Sequence, residues 1–236
     1  MPAARSRRAF DDPTPRPPAA PRLVEDLRQD DLARIGWDDE ERIEGLELTG
    51  AVPPNLVARS VTIEETRIRG SLAGAKLHDL HLHDAELAGA DLANVDAAKG
   101  HLDRLTLKDC RLTGAQLIET TIKDVTFTGC RIDFAIFALA RLDRVVFRGC
   151  DLQEVSLEQA QLRDVRFESC DLSRATLGQS RHQRVELHGC RLEGVRALSD
   201  LRGAAMPWPD VVDQAGAFAA ALGIAVARDP EADAER

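Results

Sequence analysis

Residues 110–152 read CRLTGAQLIETTIKDVTFTGCRIDFAIFALARLDRVVFRGCDL, with a cysteine every 20 positions. The interval continues, so that Cys110, Cys130, Cys150, Cys170 and Cys190 form one unbroken series and account for all five cysteines of the chain. A fixed period of this length marks a repeat architecture and takes precedence over any local motif. Two residues after each cysteine stands Leu112, Ile132, Leu152, Leu172 or Leu192, and Leu117, Ile122 and Phe127 fill the interval at steps of five. The unit is therefore five residues long, and four units make each repeat of 20.

Followed outward, the large apolar position runs from Leu72 to Leu192, broken at Ala97 and His182, with Ala197 just beyond. Two residues before each of these centres lies a smaller residue, such as Ala85, Ala115, Val125, Ala135 or Val165, and the cysteines belong to this second set. A helix would bring side chains back every 3.6 residues and a strand every 2, so neither period explains two inward positions followed by three outward ones. A turn is required in every unit. Four turns give a square coil of 20 residues, and successive coils stack at the β-sheet spacing of about 4.8 Å.

These repeats resemble the pentapeptide repeat proteins, whose consensus is A-[DN]-L-x-x. It stands almost verbatim at Ala90-Asp91-Leu92, Cys150-Asp151-Leu152 and Cys170-Asp171-Leu172, with Ala85-Glu86-Leu87 and Ala115-Gln116-Leu117 close to it. The resemblance covers residues 70–197 and implies an all-β solenoid, a right-handed quadrilateral parallel β-helix of 20-residue coils. The hand comes from the resemblance, not from the period.

The remaining sequence divides around this core. Residues 1–22 hold six of the eleven prolines together with several arginines, the composition of a disordered arm. Residues 23–42 are an acidic N-terminal cap segment, and Leu23, Val24, Leu27, Leu32 and Ile35 before Gly36 suggest a short amphipathic helix. The β-helix is expected over 43–200, regular from 70 to 197, with one irregular coil at 43–69 where Pro53-Pro54 interrupts and Ile68 to Leu72 is a step of four. Residues 201–236 form a C-terminal cap helix and tail. Trp208, Val211, Val212, Ala215, Phe218 and Leu222 recur there at helical spacing, ending at Gly223. An open β-helix end exposes unpaired backbone groups, so a cap is expected, and the resemblance adds that such helices also form homodimer contacts in some members.

Composition excludes several functions. No apolar run approaches the roughly 20 residues of a membrane span, and Arg5, Arg7 and Arg8 precede no hydrophobic stretch, so a cytoplasmic, non-membrane location is expected. Five cysteines are odd in number, and side chains in one ladder run parallel, which favours reduced, buried thiols over disulfides or a metal site. No nucleophile–base–acid arrangement is visible, so neither an enzyme nor a cofactor is expected. The acyltransferases built on a β-helix repeat every six residues and are excluded by the period. His81 and His101, 20 apart, are expected to stack with His83 and Asp103 beside them, a solvated cluster and not a metal site. His182 at a centre position needs a local hydrogen-bond partner if buried.

Two features bear on partners. Around Ala135 and Phe137, which point inward, Phe134, Ile136 and Leu139 fall at outward positions, and Ile118 lies 20 residues before Ala138. These predict an apolar patch on a charged surface and a protein contact. Charge is the second feature. Some members of the resembled family act on DNA gyrase by imitating the width and negative charge of B-DNA. The chain carries −9. By segment the net is +3 over 1–22, −5 over 23–42, −4 over 43–200 and −3 over 201–236. The coil itself is nearly balanced, although Asp84, Glu86, Asp91 and Asp96 fall close together in sequence. No basic stripe points to direct nucleic-acid binding. The leading expectation is a non-catalytic interaction scaffold; a DNA-mimic modulator of gyrase or a related topoisomerase is the alternative. An adaptor whose Pro/Arg arm binds a partner is a third reading.

Overall fold

The computed structural model describes residues 14–225. Short strands β1 (Arg28–Asp31), β2 (Arg42–Glu44), β3 (Leu46–Thr49), β4 (Val57–Arg59), β5 (Thr62–Ile68) and β6 (Lys76–His78) lead into longer ones. These are β7 (His81–Ala88), β8 (His101–Lys108), β9 (Thr121–Thr128), β10 (Arg141–Arg148), β11 (Gln161–Glu168) and β12 (Arg181–His188). From β7 onward each strand pairs in parallel with the one 20 residues away, as in the register Ile122↔Leu142↔Leu162. The other two sides are held by single bridges, Arg111↔Arg131↔Asp151 and Gln116↔Ile136↔Ser156. The product is a four-sided parallel β-solenoid.

Each long strand bends around one corner at its fourth residue. Asp84, Arg104, Asp124, Arg144, Asp164 and Arg184 all have φ between 47° and 56° and drop out of the pairing register. The remaining corners, at 129, 134 and 139 in one coil, also lie in the left-handed region. Such a backbone costs a non-glycine residue roughly 1–2 kcal/mol. The stacked hydrogen bonds of neighbouring coils offset it, since every coil passes the same bend to the next.

Inside, the centre residues form columns. Phe127, Phe147 and Phe167 are buried and stack with centroids 4.8 and 5.1 Å apart at 5°, while Phe137 meets Phe147 edge-on at 6.5 Å. The smaller aliphatic centres of the earlier coils leave a cavity of about 40 Å³ lined by residues from Ile63 to Phe127. The cysteines form their own buried column, unpaired with one another. Each thiol reaches backbone carbonyls, for example Cys130 Sγ to Leu107 and Thr128 at 3.5 Å. Their spacing reports coil geometry.

The irregular coil has a physical origin. Ile68 to Leu72 is a four-residue side, and Leu48 to Val52, one coil below, is another, because Leu48 pairs with Ile68 and Ala51 with Ser71. Gly50 and Gly70 sit in these shortened sides. A Cβ on Gly70 would lie 2.5 Å from the Gly50 carbonyl oxygen and 2.5 Å from Leu32 Cδ1. Only glycine permits the two tight sides to stack.

Both ends differ from expectation. No helix forms over 23–42. Instead β1 pairs in parallel with β3, starting the sheet at Arg28 rather than near 43, and Leu32 enters the core with Ile35 and Trp37 packed against it. Trp37 Nε1 donates to the Leu32 carbonyl at 2.9 Å. The helical spacing of the apolar residues was outweighed by the unpaired edge of β3, which a strand satisfies and a helix does not. At the other end the single helix is two short ones, α1 (Trp208–Asp213) and α2 (Ala215–Ala221). Ala205 pairs with the last strand, and the side chains of Asp200, Asp210 and Gln214 accept from the N–H groups of Gln179, Gly189 and Leu192. Gln214, between the helices, is placed to cap the coil by the break itself. No helix among the described residues is long and apolar enough to cross a membrane.

Candidate functional site

The fourth side of the coil, between the corners at 134 and 139, carries the expected apolar residues. Phe134 and Leu139 occupy the two corners, at φ 58° and 60°, and remain 52% and 46% exposed. Ile136 and Ile118 are half-buried on the side between them, with Ala138 stacked beside Ile118. Ile136 bridges Gln116 below and Ser156 above, so polar residues frame the patch. The same corners hold Gly114 and Glu154 in one column and Glu119 and Gln159 in the other. A bulky apolar side chain in the left-handed region is uncommon, and two on one coil place apolar area outward at a conformational cost.

The C-terminal residues separate into two roles. Phe218 packs against the core, with Val211 half-buried. Trp208, Val212, Ala215 and Leu222 face outward, Trp208 at 76% exposure, joined by Ile224. One face caps the solenoid and the other is an uncovered apolar surface.

The acidic residues close together in sequence do not make an acidic face. Asp84 is a corner, Glu86, Asp91 and Asp96 lie on three successive sides, and each has a cationic or imidazole neighbour. Arg104 holds Asp84 at 2.6 Å, Arg67 holds Glu86 at 2.9 Å, His78 contacts Asp96 at 3.0 Å, and Arg111 lies 3.8 Å from Asp91. Opposite charges pair between neighbouring coils elsewhere as well, as in Arg148–Glu168 at 2.7 Å and Asp171–Arg191 at 3.2 Å. Like charges directly opposite repel, yet Arg111 stacks on Arg131 and Asp151 on Asp171, so that side carries both signs without strict alternation.

The most regular alternation is at the corner inside the long strands, where Asp84, Arg104, Asp124, Arg144, Asp164 and Arg184 follow one another up the coil. Each arginine grips the aspartate one coil earlier through both Nε and Nη2, at 2.5–2.7 Å. Arg104 holds the Asp84 carboxyl, and Arg184 the Asp164 carboxyl, below the usual carboxylate range; at Asp124 burial pushes up, but Arg144 and a backbone N–H outweigh it. Sequence reading did not find this column. A period of 40 for aspartate and for arginine at one corner was the available signal.

Against this column lies the proline-rich segment expected to be disordered. Residues 1–13 are outside the described residues, but 14–22 are seated along the coils. The Arg16 N–H donates to Asp164 Oδ1 at 3.1 Å, Ala19 to Asp124 Oδ1 at 3.0 Å, and Arg22 to Asp84 Oδ1 at 2.9 Å. Pro15 is buried and Pro18 and Pro21 are half-buried, whereas Arg16, Ala19 and Arg22 are exposed.

The histidines stack as expected, His81 on His101 at 4.8 Å and 11°. Asp79, not foreseen, completes a trio whose potential ligand atoms lie within 4.8 Å of one another. Asp103 instead turns to Arg104 at 2.5 Å. His182 is half-buried, with Nε2 2.9 Å from Ser180 Oγ and Nδ1 buried without a hydrogen-bond partner.

Residues 129–196 match the family model described as the pentapeptide repeat region. No curated protein matches the chain in sequence. Among solved structures the chain is similar to HetL, a pentapeptide repeat protein involved in heterocyst differentiation regulation from the cyanobacterium Nostoc. Identity there is 19%, over 72% of this chain and 91% of that one, with a TM-score of 0.37. It is also similar to QnrB1, a plasmid-mediated fluoroquinolone resistance protein, at 17% identity over 81% of this chain and 100% of that one, with a TM-score of 0.37. Rfr23, a pentapeptide repeat protein from the cyanobacterium Cyanothece, is 14% identical over 58% and 91% of the two chains, with a TM-score of 0.21.

Proposed function

We propose that this chain, a pentapeptide repeat protein, is a non-catalytic scaffold that binds a protein partner through the apolar ridge of Ile118, Phe134, Ile136 and Leu139. The observation that carries the reading is the exposure of Phe134 and Leu139 at left-handed corners, where neighbouring coils place Gly114, Glu119, Glu154 and Gln159. Solenoid stability comes from stacked centres and does not need them. An exposed aromatic framed by polar residues is the arrangement that binding hot spots favour.

The paired variant Phe134→Asp, Ile136→Asp is expected to lose partner capture from the source cells while melting within about 2–4 °C of the wild type, since surface substitutions change stability little. Capture of the same partner at unchanged yield would sink the reading. The alternative, a DNA-mimic modulator of gyrase, is disfavoured because the acidic residues of the coils pair with cations on neighbouring coils. A supercoiling assay in which the chain inhibited gyrase would reverse that order.

The outward face of α1 and α2 supports a second contact, a homodimer through Trp208, Val212 and Leu222, because three large apolar side chains are uncovered together. Sedimentation of the wild type is expected to show a dimer, and Trp208→Ser a monomer with the coil intact. A wild-type chain that is monomeric at all concentrations would refute the dimer. The five unpaired, buried cysteines support a cytoplasmic location.

A further inference from the structure

The segment Thr14-Pro15-Arg16-Pro17-Pro18-Ala19-Ala20-Pro21-Arg22 and the corner column fit each other by period. Successive N–H donors, at Arg16, Ala19 and Arg22, are three residues apart; successive acceptors, at Asp164, Asp124 and Asp84, are 40 apart, which is two coils. Three residues of polyproline II helix rise about 9.3 Å. Two β-spacings cover about 9.6 Å. Polyproline II has three residues per turn, so the same face returns at each step, and the prolines at 15, 18 and 21 lie on it. That helix has no internal hydrogen bonds, and the track supplies the acceptors its backbone lacks.

We propose that the Asp84–Asp124–Asp164 column is a docking track for polyproline II peptides with proline at every third residue, that residues 14–22 fill it in cis, and that a partner's proline-rich segment of the same repeat replaces them in trans. Three observations favour exchange over a permanent staple. The contact uses backbone N–H groups, so it reads proline spacing and not side-chain identity. Between the prolines the segment is exposed, and only Pro15 is fully buried. Arg104, Arg144 and Arg184 bind both oxygens of each aspartate, so an emptied track leaves no buried carboxylate without a partner.

The test uses the full chain with its own segment loosened by Pro15→Gly, Pro18→Gly and Pro21→Gly, and a fluorescent peptide of residues 14–23. Bonds to ionised groups carry roughly 1.5–3 kcal/mol, so Asp124→Ala in the loosened chain is expected to weaken peptide binding about tenfold or more. Asp171→Ala, on another side of the coil, leaves it unchanged. The wild-type chain, its track filled, is expected to bind the added peptide at least about tenfold more weakly than the loosened one, as tethering raises the local concentration of the cis segment. A peptide with one alanine inserted after Pro18 keeps its charge but loses the period, and is expected not to bind. Equal binding of the inserted peptide would show simple attraction of Arg16 and Arg22 to acidic groups and overturn the proposal. So would absence of peptide binding to a loosened chain that retains its β-helix circular dichroism, or binding indifferent to Asp124→Ala.

Discussion

Phe147→Ala is expected to destabilise the solenoid by about 3–5 kcal/mol, read as a lowered denaturant midpoint. Phe147 is fully buried between Phe127 and Phe167 and takes the edge of Phe137, so its removal cancels two stacked contacts and one T-shaped contact besides leaving a cavity. The coil has no way to collapse around the gap, because the β-spacing of its walls is fixed by hydrogen bonds on every side. In a structure where each repeat touches only its neighbours, a weakened layer in the middle also interrupts cooperativity between the two halves. A loss of stability below about 1 kcal/mol would contradict this account.

His182→Leu is expected to act in the opposite sense, raising stability by about 1 kcal/mol at neutral pH, the lower part of the range for relieving an unsatisfied buried polar atom because the ring is only half-buried. The substitution would continue the column of Leu142 and Leu162. Burial holds the His182 imidazole below its ordinary pKa, with Asp200 pulling weakly the other way. The unfolded chain therefore takes up a proton that the folded one resists, so the wild type loses stability as pH falls through about 6.5. The leucine variant loses that component, and the gap between the two should widen toward pH 5. Parallel pH profiles would show that the ring titrates freely.

Much of this was legible in the sequence because a solenoid writes its geometry into a period. The inward set from Leu72 to Leu192, the step of four at Ile68–Leu72 and the outward position of Phe134 and Leu139 follow from counting by five. What failed lay where the period gives no guidance. Residues 23–35 carry apolar spacing suited to a helix, but the free edge of β3 drew Arg28–Asp31 into a strand. Asp84, Glu86, Asp91 and Asp96 are near neighbours along the chain, yet the coil turns each to a different aspect, so linear proximity misled about the surface. The proline segment reads as disordered by composition, and only the match of its three-residue step to a two-coil step reveals a seat.

That seat has a temporal meaning. Arg16 is made early, but its partner Asp164 belongs to a coil completed some 150 residues later, and the strand that supplies Arg184 later still. The segment runs opposite to the direction in which coils are added, so its leading end has nowhere to rest until nearly the whole stack exists. Every second coil added during synthesis opens one more place from Arg22 backward, and the last contact closes only on a finished ladder. Attachment of the segment thus records, at one end of the chain, that assembly at the other end has been achieved.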